Sequence, residues 1–174
     1  KAEVADALQR SGITLKPADY PLFQQALTKL MQDLAAKIAR DGEGATKFLE
    51  AQVEAAASKE DARLLARSIV SSSLVKTAFF GEDANWGRII CAMGYSGAKF
   101  DPACVSIALK SAGGTLELLK HGEPVCVNEI LAKQILAEKN IIIHVDMNSG
   151  KEEATAWGCD LSYDYVRING SYRT

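Results

Sequence analysis

Between Tyr20 and Arg40 the apolar positions Phe23, Leu27, Leu30, Met31, Leu34 and Ile38 recur mostly at steps of three and four. That period predicts an amphipathic helix over 20–40. Asp19 is available as a cap, Pro21 is tolerated in the first turn, and Asp41-Gly42 ends the helix. The pattern then changes. Residues 47–57 have a helix-forming composition, yet Leu49, Ala51, Val53 and Ala55 alternate with Glu50, Gln52 and Glu54. The alternation, with Gly42 and Gly44 ahead of it and a fresh cap behind, predicts a strand. Ser58 and Asp61 have the spacing of a capping box, and Ala62, Leu65, Ala66, Ile69 and Val70 trace a second amphipathic helix.

Leu74 to Phe80 reads as a short strand, and Gly81 to Asn85 as a turn into a helix from about Trp86 to Tyr95. Val105, Ile107 and Leu109 alternate as a strand, which Gly113-Gly114 turns into another around Leu116 and Leu118. Asn128 is placed to cap a short helix through Leu136. Ile141, Ile143, Val145 and Met147 form one face of the best strand in the chain. Ala154 to Cys159 is expected to pair with it across the Asn148-Ser149-Gly150 turn. The tail from Ser162 to Thr174 stays open between a helical turn and an extended arm. Helices and strands mix without a strict βαβ rhythm, which predicts the α+β class.

The chain has 174 residues, enough for one domain or one domain with a smaller lobe, and 48% hydrophobic residues, enough for a core without staples. A net charge of −2 speaks against a dedicated nucleic-acid binder. No apolar run approaches the roughly 20 residues of a membrane span, and no apolar segment follows Lys1 as in a signal peptide. Cys91, Cys104, Cys126 and Cys159 form no C-x-x-C pair, so neither zinc nor a disulfide framework fits. They read as buried thiols of a reducing cytoplasm. His121 and His144 are the two histidines, which leaves little for a histidine-based triad.

Three stretches could carry chemistry. In Asp41-Gly42-Glu43-Gly44-Ala45-Thr46-Lys47 a carboxylate sits between two glycines, able to face a cationic amine with the backbone close to a ligand; the plainer reading is a helix cap with a solvated glutamate. It lacks the spacing of a phosphate loop. In Ser73 to Ala78 and Asp83 to Arg88, Asp83 or Asn85 can cap a helix that Trp86 anchors, a structural role; Lys76 and Arg88 are read as structural too. The last stretch, Asp164 to Thr174, is rich in aromatic and hydrogen-bonding residues for a terminus, and is either a docked arm or part of a site.

Taken in order, DGEGATK, SSLVKTA, DANWGRI, GYSG, AWGCDLSYDYV and INGSYRT resemble the C-terminal part of the ornithine acetyltransferases, the ArgJ family, from about Tyr20 to Thr174. Gly170 departs from the alanine common there. The resemblance implies a DmpA/ArgJ-like layered α/β fold with a smaller α+β C-terminal domain, here divided as 1–72 and 73–174. It implies a cytoplasmic enzyme of arginine biosynthesis that cleaves itself before a threonine. That threonine, at the start of the β chain, takes acetyl from N2-acetylornithine and gives it to glutamate; some members also accept acetyl-CoA. No metal or resident cofactor is expected. The family's Ala-Thr-Met-Leu and Ser-Thr-Asn-Asp motifs are absent, so the chain is expected to be a β chain without its first segment. It would carry no catalytic residue and work in an αβ hetero-oligomer with the α chain of the same precursor, with neither nucleic acid nor membrane as a partner. Three substrate contacts carry across: Glu43 in DGEGATK, Asn169 in INGSYRT, and the final Thr174. Glu43 can hold a cation, Asn169 donates and accepts, and Thr174 adds a hydroxyl. The competing reading is a non-catalytic binding or assembly module; an aminopeptidase-like relative fits INGSYRT less well.

Overall fold

The computed structural model describes residues 9–12 and 16–171. The chain divides into two compact units, Lys1–Ala35 and Ala36–Thr174. Helix α1 (Tyr20–Arg40) begins in the first and ends in the second, with the bounds its period predicts. A single 3-10 turn, Pro17–Asp19, precedes it. The Asp19 carboxylate accepts from the Lys16 amide at 3.2 Å, so it closes that turn instead of capping α1. No side chain of α1 is buried, and Leu22 and Ile38 stand well exposed.

The second unit is built on one six-stranded sheet in the order β4-β3-β2-β5-β1-β6. The strands are β1 (Phe48–Ala56), β2 (Ser106–Ser111), β3 (Gly114–Lys120), β4 (Glu123–Pro124), β5 (Asn140–Asp146) and β6 (Glu152–Cys159). Only β1 and β5 run parallel; the other neighbours are antiparallel. The helices are α2 (Lys59–Ser71), α3 (Ser73–Phe80), α4 (Trp86–Gly94), α5 (Glu129–Leu136) and α6 (Tyr163–Ser171). The architecture is therefore α+β, and β1 lies between β5 and the edge strand β6.

Alternation along the strands divides the two faces. Leu49, Ala51 and Val53 of β1 and Ile141, Ile143 and Val145 of β5 are 1% exposed or less. They join Leu65 and Ile69 of α2 and Ile89 and Met93 of α4 in a single core. Each buried side chain of this size contributes roughly 1.5–3 kcal/mol. The half-buried opposite face is polar and paired within itself. There the Trp157 indole donates to Glu50 at 3.2 Å, Gln52 donates to the same carboxylate at 2.7 Å, and His144 Nε2 lies 2.8 Å from Glu54 Oε1. No helix of the described residues is long and apolar enough to cross a membrane.

Three expectations are corrected. Leu74 to Phe80 is helical, as α3. The Ser72 hydroxyl accepts from the Val75 amide at its start, and Val75, Ala78 and Phe79 turn one helical face inward while Leu74 is exposed. A run this short has no period of its own to separate helix from strand. Nor does β6 pair with β5: β1 lies between them. After β5 the chain keeps bonding to the end of β1, through Met147 N to Glu54 O and Ser149 N to Ala55 O, at 3.0 and 2.9 Å. It then crosses that end at Gly150, where a Cβ would stand 2.3 Å from the Ala56 carbonyl oxygen. The third correction concerns the thiols. All four are free, but Cys91 and Cys126 are exposed and Cys104 and Cys159 half-buried.

Asp61 ties the start of α2 to the loop after α4. Its carboxylate accepts from the Ser58 hydroxyl and, at 3.0 Å, from the Lys99 amide. The Ser58 hydroxyl and then the Lys99 amide hold its carboxyl below the usual carboxylate range. A depressed folded-state pKa stabilises above the unfolded value and is lost as pH falls through the folded one.

Two measurements follow. Gly150→Ala should destabilise the protein by about 1–3 kcal/mol in urea unfolding, because backbone rather than a movable side chain blocks the new methyl. Asp61→Asn should lower the melting temperature at pH 7, and the gap from wild type should close below about pH 4, where the carboxyl protonates in the unfolded chain. A gap of constant size down to pH 3 would remove the charge as its cause.

Candidate functional site

The loop from Asp41 to Lys47 connects α1 to β1, and its two ends are held differently. At the β1 end, Lys47 is buried, and its ammonium donates to Glu82 Oε1 at 3.0 Å and to the Leu136 carbonyl at 2.6 Å. A buried ammonium persists only with such partners. At the α1 end, the Arg40 guanidinium lies 4.3 Å from the centre of the Phe48 ring and donates to Asn140 Oδ1 at 3.1 Å.

Between these ends the loop is bound to the segment that follows β6. Asp160, 3% exposed, accepts from the Thr46 amide at 2.8 Å, the Lys47 amide at 3.0 Å and the Thr46 hydroxyl. Its own amide donates to the Lys47 carbonyl at 3.1 Å. Two residues on, the buried Ser162 donates its hydroxyl to the Gly44 carbonyl and accepts from the Tyr165 amide at 3.3 Å, in the first turn of α6. Gly44 has φ of +68°, and a Cβ there would lie 2.8 Å from the Tyr165 nitrogen. Only glycine fits that position. Gly42 passes as closely to Cys159 Sγ. The close approach that these glycines permit is thus made by the chain's own C-terminal segment.

This docking brings two of the residues named from the sequence together. Asn169 Nδ2 donates to Glu43 Oε2 at 2.9 Å, and to the Tyr165 carbonyl at 2.9 Å. Both residues are exposed. Among the described residues, Glu43 Oε1 and Asn169 Oδ1 accept from no donor. With its amide hydrogens turned toward Glu43 and Tyr165, Asn169 offers its oxygen beside a carboxylate. Two adjacent acceptor oxygens, one of them charged, suit a ligand with several N–H donors, such as an ammonium group. Thr174 lies outside the described residues.

Arg88 donates to the Leu74 carbonyl at 3.0 Å and to the Thr77 hydroxyl at 3.3 Å, so its charge serves the packing of α4 on α3. The Lys76 carbonyl accepts from the Leu161 amide at 3.3 Å, and so holds the segment that carries Asp160 and Ser162. Asp160 and Ser162 lie within AWGCDLSYDYV, one of the stretches that carry the family resemblance, but residue type and spacing alone assign them no role. A lone aspartate after a strand reads as an ordinary turn residue.

The ArgJ family model matches residues 4–174. The chain is 57% identical, over 90% of its length, to "Arginine biosynthesis bifunctional protein ArgJ" of Caldanaerobacter subterraneus subsp. tengcongensis, and covers 39% of that protein. It is 54% identical to "Glutamate N-acetyltransferase" of Methanosarcina acetivorans, over 87% of this chain and 39% of the relative. It thus spans about two fifths of the length of these curated relatives. The crystal structure of the arginine biosynthesis bifunctional protein argJ from Bacillus halodurans superposes with a TM-score of 0.83 at 47% identity, covering 91% of this chain and 74% of that one. The α+β architecture is accordingly ArgJ-like, and with residues 4–174 matching the family model, this chain belongs to the ArgJ family.

Proposed function

We propose that this chain is the larger part of the β chain of a glutamate N-acetyltransferase of arginine biosynthesis. The enzyme moves acetyl from N2-acetylornithine to glutamate. The supporting observation is the contact between Glu43 and Asn169, which are 126 positions apart in sequence and meet at 2.9 Å. The names of the relatives support the reaction class.

In this reading the nucleophile is a threonine on another polypeptide, released when a common precursor cleaves itself, and the αβ assembly works in the cytoplasm. The threonine hydroxyl attacks the acetyl carbonyl and gives its proton to an α-amine, with an oxyanion hole on the α-chain side. The amide C–N bond breaks and ornithine leaves with that proton; the glutamate amine then takes the acetyl from the threonine ester and restores the hydroxyl. This chain holds the substrate. N2-acetylornithine has its α-nitrogen acylated and its side-chain amine free. Glu43 and Asn169 accept from that ammonium and fix the acetyl group relative to the threonine. Thr174, at the end of the segment that α6 begins, completes the contact set.

The test uses the chain together with the N-terminal portion that its relatives possess. Glu43→Gln should raise KM for N2-acetylornithine about 10–100-fold with kcat little changed, since a hydrogen bond to a charged group is worth roughly 1.5–3 kcal/mol in ground and transition states alike. Removing Thr174 should act in the same direction. An unchanged KM in the glutamine variant would take Glu43 out of the pocket. Absence of any acetyl transfer by the complete assembly would favour a binding or assembly module.

A further inference from the structure

Glu43 and Asn169 sit on separate pieces of backbone, and neither piece sets their spacing by itself. Glu43 belongs to the loop before β1, and Asn169 to α6. Both pieces are tied to the three residues Asp160, Leu161 and Ser162. The β1–β6 ladder ends at the pair Phe48 and Cys159. One step beyond it, Asp160 continues the pairing through its amide, bound to the Lys47 carbonyl, and through its carboxylate, bound to two amides and a hydroxyl. Among the described residues, the donors that reach this carboxylate come from Thr46 and Lys47 alone. Ser162 meanwhile holds Gly44, the neighbour of Glu43, and the first turn of α6 with one hydroxyl.

We propose that Asp160 is the positioning residue of this site: through Thr46 and Lys47 it sets where Glu43 stands against Asn169, and it touches no substrate itself. The inference rests on the reading of Glu43 and Asn169 as substrate contacts. Its physical basis is the cost of moving the loop. A buried carboxylate that satisfies three donors cannot release them without stranding a charge out of water, so the loop has one arrangement rather than several. A ligand then meets a pair already in place, with no ordering of the loop at binding.

The variant that tests this is Asp160→Asn, which keeps the shape but removes the charge and leaves one accepting oxygen where two divide the Thr46 and Lys47 amides from the Thr46 hydroxyl. In the assembled enzyme it should raise KM for N2-acetylornithine about tenfold, with kcat within about twofold of wild type. Combined with Glu43→Gln it should add nothing, because the residue through which it acts is already lost. Thr46→Ser keeps the hydroxyl and should behave as wild type, whereas Thr46→Val should reproduce part of the effect. A merely structural Asp160 would lower the melting temperature and leave KM alone, or would multiply with Glu43→Gln; either result overturns the proposal.

A second readout needs no turnover. In NMR spectra of this chain Glu43→Gln should shift the Asn169 side-chain amide signal, and this shift should vanish when the substitution is made in Asp160→Asn. Its persistence there overturns the positioning role even if Glu43 binds substrate. Its loss in the variant, with a normal KM in Glu43→Gln, would sustain the positioning and dismiss only the substrate reading.

Discussion

The candidate site depends on one buried carboxylate. Asp160 is shielded from water and surrounded by the amides of Thr46 and Lys47 and the hydroxyl of Thr46. Hydrogen bonds to an ionised acceptor are the stronger kind, and their low-dielectric setting makes their loss expensive. The two candidate residues, Glu43 and Asn169, lie to either side of this point. Toward the N-terminus it fixes the loop that carries Glu43; toward the C-terminus it leads through Ser162 into α6 and Asn169. The sheet supplies the support, since β1 and β6 are paired neighbours and deliver both segments to the same end.

The two faces of that sheet explain why the support is firm. One face is sealed by α2, α4 and α5 over aliphatic strand residues. The other has its carboxylates engaged by neighbours on the same sheet, Glu50 by Trp157 and Gln52, Glu54 by His144. The Trp157–Glu50 and His144–Glu54 contacts cross between strands, and such pairs are the unit of sheet stability. Lys47 adds a fixed point from the helix side, spanning to Glu82 and the end of α5. The loop is thereby held at positions 44, 46 and 47, while Glu43 faces outward.

Much of this was legible in the sequence wherever a period ran long enough. The bounds of α1 follow from its apolar spacing, and β1 from four alternations set against a helical composition. Local rules failed where a tertiary contact decided the outcome. Leu74 to Phe80 is too short to reveal its period, and becomes helical through the Ser72 cap and the burial of Val75, Ala78 and Phe79. The turn at Asn148 to Gly150 has hairpin composition, yet β1, a hundred residues earlier, occupies the place beside β5. Glu43 and Asn169 came from family resemblance; spacing alone cannot bring together two residues so far apart. Asp160 lies within AWGCDLSYDYV but does not stand out there, because its donors come from a loop that only the folded sheet puts beside it.

Through Asp160 the loop before β1 and the segment after β6 form one rigid unit, and amide hydrogen exchange reads that rigidity residue by residue. The Thr46 and Lys47 amides should exchange as slowly as that of Ala51 in the middle of β1, opening only when the whole unit unfolds. Exchange of those two amides at the faster rate of a locally opening loop, with Ala51 still protected, would contradict it.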